Sequence, residues 1–435
     1  MEHQSTPRKF SRRDFLKLGG LGALLLAGGG TLPAVLRKPA RRAVAAPASA
    51  APGARLAVPP PLYRRLVATD GFIVLPGRDP LYVFGFTDVT DPDLNSDINT
   101  LDIYKGRVQA PAPILATEQD QDVYITLTNI GLVGRPDLDD SHTIHWHGFR
   151  NPIALFDGVP EVSISVPPAR NFPYFYRPHD PGTYMYHCHF EDTEHVQMGM
   201  TGIVYVNPAQ NGTPITYNGK TYTRFVYNDG DGSTGYERQF TLLLNEVDTR
   251  PHDNLLAVQE FIWSDYDPNY FVINGRAYPD TIKLSNDPSL EIEGTVRQSI
   301  SSLIQVNPYD QVLLRFVNLG YRQHAMQLNG IPMRVVGEDA TLLRGPDGFD
   351  LSYWTNTIYI GSGEARDVIF TAPGFASEAP GGTDAWGAYN SYLLMDRNLE
   401  FLTNNGLPGL GGMVTEVRVY TDPLPAQSAP NETYP

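Results

Sequence analysis

Cys188 is the only cysteine among 435 residues, and the stretch PGTYMYHCHFEDTEHVQMGMTG (181–202) surrounds it with chemistry. His187 and His189 flank it, His195 follows seven residues on, and Met200 five further. A thiolate, imidazoles and a thioether make the soft ligand set of a type 1 copper site, with methionine as the weak axial ligand. Cys188, His195 and Met200 supply three of those four ligands, so the second imidazole has to come from elsewhere in the chain. Bound copper would hold the cysteine as its thiolate. Zinc does not account for a His–Cys–His core with a distant methionine.

A second histidine-rich segment, HTIHWHG, occupies residues 142–148. Most of the chain's ten histidines fall in these two short segments. The pair H-x-x-H-x-H-G followed by H-C-H-x(5)-H-x(4)-M resembles the multicopper oxidases, in particular their two-domain, laccase-like members. By motif position the resemblance implies that His142 joins Cys188, His195 and Met200 at a type 1 copper. It implies that His145, His147, His187 and His189 form one half of a trinuclear (type 2/type 3) copper cluster. Cys188 with His187 and His189 would then be the catalytic link, since the cysteine lies between two cluster ligands and joins them covalently.

These residues need a scaffold, and the sequence around them is strand-like. Short apolar runs broken by Gly, Pro, Asn and Asp recur from residue 63, as in GFIVL (71–75), LYVFGFTDV (81–89) and DVYITLTNIG (122–131). That pattern, with 37 Pro and 40 Gly, predicts an all-β protein of many turns. With the resemblance, it implies two consecutive cupredoxin-like Greek-key β-sandwich domains. The first, copper-binding, spans 63–210 and closes with TGIVYVNP (201–208). The second spans 215–423, with strands expected in TYTRFVYND (221–229), QFTLLLNEVD (239–248), QVLLRFVNLG (311–320) and GGMVTEVRVYT (411–421). YFVINGRAYPD (270–280) resembles an FxINGxxxPD segment of the same family.

The second half reads as a degenerate repeat of the first. HAMQLNG (324–330) lies over HTIHWHG, so His142 matches His324, while His145 faces Gln327 and His147 faces Asn329. YMYHCHFED (184–192) lies over YNSYLLMDR (389–397), which has no His and no Cys. The second domain is therefore expected to lack copper ligands, with His324 a buried, hydrogen-bonded remnant. His3, His179 and His252 are the other histidines outside the motifs, and His179 in RPHDPG reads as a turn residue.

The N-terminus carries SRRDFLK (11–17) and the apolar run LGGLGALLLAGG, a twin-arginine export signal with small-residue cleavage sites near 43–51. Residues 1–50 are taken as signal and cleavage region, 51–62 as an Ala/Pro-rich arm, and 424–435 as a disordered Pro-rich tail. The expected location is periplasmic, cell-surface or extracellular, with no membrane span in the mature form. Without residues 1–45, which hold nine Lys/Arg and two Asp/Glu, 24 basic and 46 acidic side chains remain, a net charge of −22. Such a surface excludes nucleic acid as a partner. A single cysteine allows no disulfide within the chain. The resemblance implies one-electron oxidation of a phenolic or metal-ion donor and reduction of dioxygen to water. It also implies a homotrimer or other homo-oligomer, since the family's clusters lie between domains. Glu191, Asp192 and Glu194 stand ready to bind a cationic donor or relay protons. A blue copper electron carrier and a copper nitrite reductase-like enzyme are the alternative readings.

Overall fold

The computed structural model describes residues 58–90, 98–150 and 153–435; the expected signal region and most of the arm lie outside them. Eight strands build the first sandwich. They are β1 (Leu62–Ile73), β2 (Leu81–Asp88), β3 (Leu115–Glu118), β4 (Val123–Asn129), β5 (His145–His147), β6 (Arg170–Tyr176), β7 (Gly182–His187) and β8 (Thr201–Asn207). One sheet runs β2-β1-β4-β6 and the other β3-β8-β7-β5. The two-residue alternation of strands explains their faces. In β4, Val123, Ile125 and Leu127 are buried while Tyr124 points outward. The core between the sheets is aromatic: Trp146 stacks on Tyr176 with centroids 4.1 Å apart, and Phe84, Tyr174 and Tyr186 are fully enclosed.

The second sandwich has a seven-stranded and a six-stranded sheet. Arg238–Val247, Gln311–Asn318 and Ala365–Thr371 are central in the first; Val414–Tyr420, Gly387–Asp396 and His324–Leu328 are central in the second. The expected strand TYTRFVYND is mostly loop. Lys220–Tyr222 is its one regular strand; beyond it Phe225 only bridges Gly235, and Asp229 accepts the Gly232 and Thr234 amides and closes DGDGST into a tight turn. The Pro-rich tail is a second correction to the expectation. Asn431 accepts the Thr241 amide at 2.8 Å, the Tyr434 amide reaches Gln305 at 2.7 Å, and Leu424 and Tyr434 are buried. Side chains, not backbone pairing, fix residues 424–435, and composition does not reveal that.

Both sandwiches follow one plan. β1 runs parallel to β4 as Arg238–Val247 does to Gln311–Asn318, and β3 parallel to β8 as Ile304–Val306 does to Val414–Tyr420. The backbone corrects the sequence register, which would set Cys188 on Leu393. The Cys188 amide donates to Met200 O at 3.1 Å, and the Asp396 amide donates to Met413 O at 3.1 Å. The Met200 amide donates to His195 O at 3.0 Å, and the Met413 amide to Phe401 O at 2.9 Å. Cys188, His195 and Met200 therefore correspond to Asp396, Phe401 and Met413. The slip arises because Gly387–Asp396 is a ten-residue strand where β7 has six.

The sandwiches meet along the outer face of β7. Met185 and Ile203 pack on Leu243, Val317, Leu319 and Ala365. Beside them Thr183 Oγ1 donates to Asp367 at 2.5 Å, and Arg315 reaches the same carboxylate at 3.3 Å.

Candidate metal centre

Strand alternation sorts the two ligand segments. In β5 the side chain of Trp146 enters the core, so His145 and His147 turn to the opposite face. β7 buries Tyr184 and Tyr186 in the same core, and Cys188 continues that inward series. His187 lies opposite His145 in the register. Helix α1 (Asp192–Met198) then brings His195 back over the cysteine.

His142, Cys188 and His195 are fully buried, and one ligand atom from each falls within 4.8 Å of the others. Cys188 Sγ lies 3.3 Å from His195 Nδ1 and 4.0 Å from His142 Nδ1. The Thr143 amide donates to Sγ at 3.4 Å. Met200 is buried in the same side-chain cluster. Burial pushes His142 well below the usual histidine range. Burial also works against a charged His195, yet the adjoining Cys188 and the Asp140 carboxylate hold its pKa up to about 10. Asp140 Oδ2 stands 3.8 Å from His195 Nε2. Two Nδ1 atoms facing one buried sulfur, with a carboxylate behind one ring, fit a soft metal cation that displaces the proton.

His145, His147 and His187 form a second group, again with ligand atoms within 4.8 Å. His145 Nδ1 donates to Asp157 O at 2.6 Å and His187 Nδ1 to Cys188 O at 2.7 Å, which leaves each Nε2 available. Gly158 makes the first of these contacts possible. It adopts φ 77°, and a Cβ there would lie 2.2 Å from Ile144 O. Burial lowers the pKa of all three, His187 to about 3, so they are neutral and ready to ligate. The His189 ring stands 5.2 Å from that of His145 and 5.6 Å from that of His187, outside the tight trio but beside it. Its amide donates to Thr143 Oγ1, tying the two motif segments together.

The acidic neighbours divide. Asp140 joins Glu191 and His195 in a further group of potential ligand atoms. Burial raises the pKa of Glu194. Asp140, Asp157 and Thr143 went unnoticed in the sequence; Asp140, two residues before His142, was the one findable signal. His179 lies on the surface against Asp120, as a turn residue does.

The second sandwich brings no ligands to either group. Gln327 pairs with Met395 where His145 pairs with His187. His324 is buried between Asp396 and Glu246, at 2.9 and 3.3 Å. His252, on α2 (Thr249–Leu256), is buried with Nδ1 on Tyr82 O at 2.6 Å. Among the described residues no helix is long and apolar enough to cross a membrane.

Residues 101–211 match the family model for multicopper oxidase. Laccase-1 of Cryptococcus neoformans var. neoformans is 28% identical over 268 residues, 58% of this chain and 36% of that protein. The chain thus spans about a third of that relative's length. A blue copper oxidase structure from Nitrosomonas europaea aligns with TM-score 0.58 and 22% identity, covering 83% of this chain and 86% of that one. A copper nitrite reductase from the same organism aligns with TM-score 0.53 and 16% identity, covering 84% and 95%. These structures share the cupredoxin fold, and copper is the metal implied for the ligand groups above. Both histidine segments thus lie inside the region that matches the multicopper oxidase family model, and the likeness in fold extends beyond it.

Proposed function

We propose that this protein is a laccase-like copper oxidase that takes electrons singly from a phenolic or metal-ion donor and delivers them to dioxygen. His142, Cys188, His195 and Met200 would hold the type 1 copper, and His145, His147, His187 and His189 the type 2/type 3 coppers. When bound, copper supplies one-electron transfer at the first group and dioxygen reduction at the second. One observation carries the reading: Cys188 turns its sulfur to one ligand group while its chain neighbours His187 and His189 stand at the other.

The chain's own residues prepare this route. Cys188 offers a covalent path of a few bonds to His187, whose ring is fixed by the Cys188 carbonyl itself. Thr143 steadies both ends, its amide on Sγ and its hydroxyl on the His189 amide. Asp140 orients the outer edge of His195, where the donor's electron would enter. Glu191 and Glu194 lie beside it and suit a cationic donor.

The second sandwich offers Gln327, Asn329, Met395 and Arg397 where cluster histidines would be expected. We place the remaining imidazoles on another copy of the chain, its first domain facing this one across a two-fold or within a larger homo-oligomer. The same observation favours a second reading, a blue copper electron carrier that reduces no dioxygen. A nitrite reductase-like arrangement gains little, because His252 and His324 are buried against their own chain. The export signal suits a protein that leaves the cytoplasm already folded.

Two variants separate the roles. Cys188→Ser should abolish the blue thiolate absorption and donor oxidation together. His187→Ala should keep the blue absorption and lose dioxygen uptake. Undiminished dioxygen uptake in His187→Ala would overturn the oxidase assignment.

A further inference from the structure

The position in the second sandwich that corresponds to the Cys188 centre has acquired a different content. His324 occupies the place of His142, Asp396 that of Cys188, Phe401 that of His195 and Met413 that of Met200. Phe401 even keeps the aromatic contact, its ring 5.3 Å from His324 where His195 stands 4.8 Å from His142. His324 Nδ1 faces Asp396 Oδ2 at 2.9 Å and Nε2 faces Glu246 Oε2 at 3.3 Å. A neutral imidazole has one N–H, so only the imidazolium donates to both carboxylates. Burial opposes that charge, but the two carboxylates hold the His324 pKa above the ordinary value.

Glu246 passes the arrangement on. Its other oxygen accepts the amides of Tyr321 and Arg322, the latter at 2.7 Å. Tyr321 packs on Tyr266 with ring centroids 5.3 Å apart, and its hydroxyl donates to Thr193 O in α1 of the first sandwich. A second tie joins the same two elements. Gln197 of α1 donates to Glu246 O at 3.4 Å and to His252 Nε2 at 3.3 Å. Thr193 and Gln197 bracket His195 on α1.

We propose that His324, locked between Asp396 and Glu246, is a positioning residue that sets α1, and with it His195 and Met200, from the neighbouring domain. The former ligand position of the second sandwich has become the anchor for the working centre of the first. A charged pair buried in one domain is a rigid support, because unpairing it is costly. The proposal rests on His195 and Met200 being copper ligands only for its consequence at the metal, not for the mechanical link.

Hydrogen exchange of residues 192–199 in the copper-free full chain tests the link. His324→Gln removes the charge, and Tyr321→Phe removes only the hydroxyl on Thr193. Each should speed exchange in α1 about fivefold to tenfold, the worth of one hydrogen bond, and leave β4 unchanged. In the copper-loaded chain both variants should shift the blue absorption or the copper EPR splitting, which a merely structural role elsewhere would not move. Unchanged α1 exchange in Tyr321→Phe, together with unchanged copper spectra, would overturn the proposal even where His324→Gln fails to fold. A wild-type chain that bound copper with no thiolate absorption would remove the reading of the first centre. The copper-free exchange result would still decide the role of His324.

Discussion

Replacing Asp367 by Leu attacks the join between the two sandwiches at one point. Asp367 and Arg315 are both buried, at 1% and 0% exposure. The carboxylate accepts Thr183 Oγ1 at 2.5 Å, Tyr227 OH at 2.6 Å and Arg315 Nη1 at 3.3 Å. Leucine would leave the Thr183 and Tyr227 hydroxyl hydrogens without an acceptor and Arg315 without its carboxylate, though Arg315 Nη1 would still donate to Thr183 Oγ1 at 2.9 Å. Losing one member of a buried ion pair costs about 3–5 kcal/mol, and stranded hydroxyls about 1–3 kcal/mol each, without simple additivity. Arg315 keeps the Tyr205 ring 4.5 Å from its guanidinium carbon and Gln239 at 3.2 Å, which draws the total toward the lower figures. We expect a loss of about 4 kcal/mol, read as a urea midpoint lowered by about 1 M or more at a slope near 3 kcal/mol/M. The double variant Asp367→Leu/Arg315→Met should recover part of that loss, because it leaves no unpaired charge. A single variant within about 1 kcal/mol of wild type, or a double variant worse than the single, would refute the reasoning.

Three further outcomes follow from the same structure. Trp146→Ala should cost about 3–5 kcal/mol and weaken metal binding by His145 and His147, since the indole holds β5 in place; thermal melts and metal titration read both. Deleting residues 424–435 should lower the melting temperature measurably, where a disordered tail would leave it unchanged. Metal binding by the His145, His147 and His187 group, measured in Cys188→Ser, should persist as pH falls below the ordinary histidine value of about 6.5. Burial lowers these pKa values, His187 to about 3, so protons compete only at more acid pH. A titration midpoint near 6.5 would count against it.

Much of this was legible in the chain. Spacing around the single cysteine found Cys188 and His195 as near neighbours, and the paired motif found His142 and the other histidine group. Short apolar runs broken by turn residues marked most strands, while the inward turn of Trp146 between His145 and His147 is seen only in the structure. Geometry across the sandwich was not legible. Asp157 and Thr143 act through contacts that no spacing marks; Asp140 alone carries a hint, two residues before His142. The repeat was visible, and its register over HAMQLNG agrees with the structure, but a longer strand, ten residues against six, hid the match of Cys188 to Asp396. His324 was readable as a buried remnant; its two carboxylates, 72 and 78 residues away in sequence, were not. The tail looked disordered because its order comes from Asn431, Gln427 and Tyr434 side chains pairing with the sheet.

The most direct test is copper per chain in the reconstituted full-length protein, with absorption and EPR on the same sample. More than one copper per chain is expected, with a strong blue thiolate band and a near-ultraviolet shoulder from coupled copper at the His145, His147, His187 and His189 group. One copper per chain with the blue band alone would contradict the oxidase assignment and leave an electron carrier.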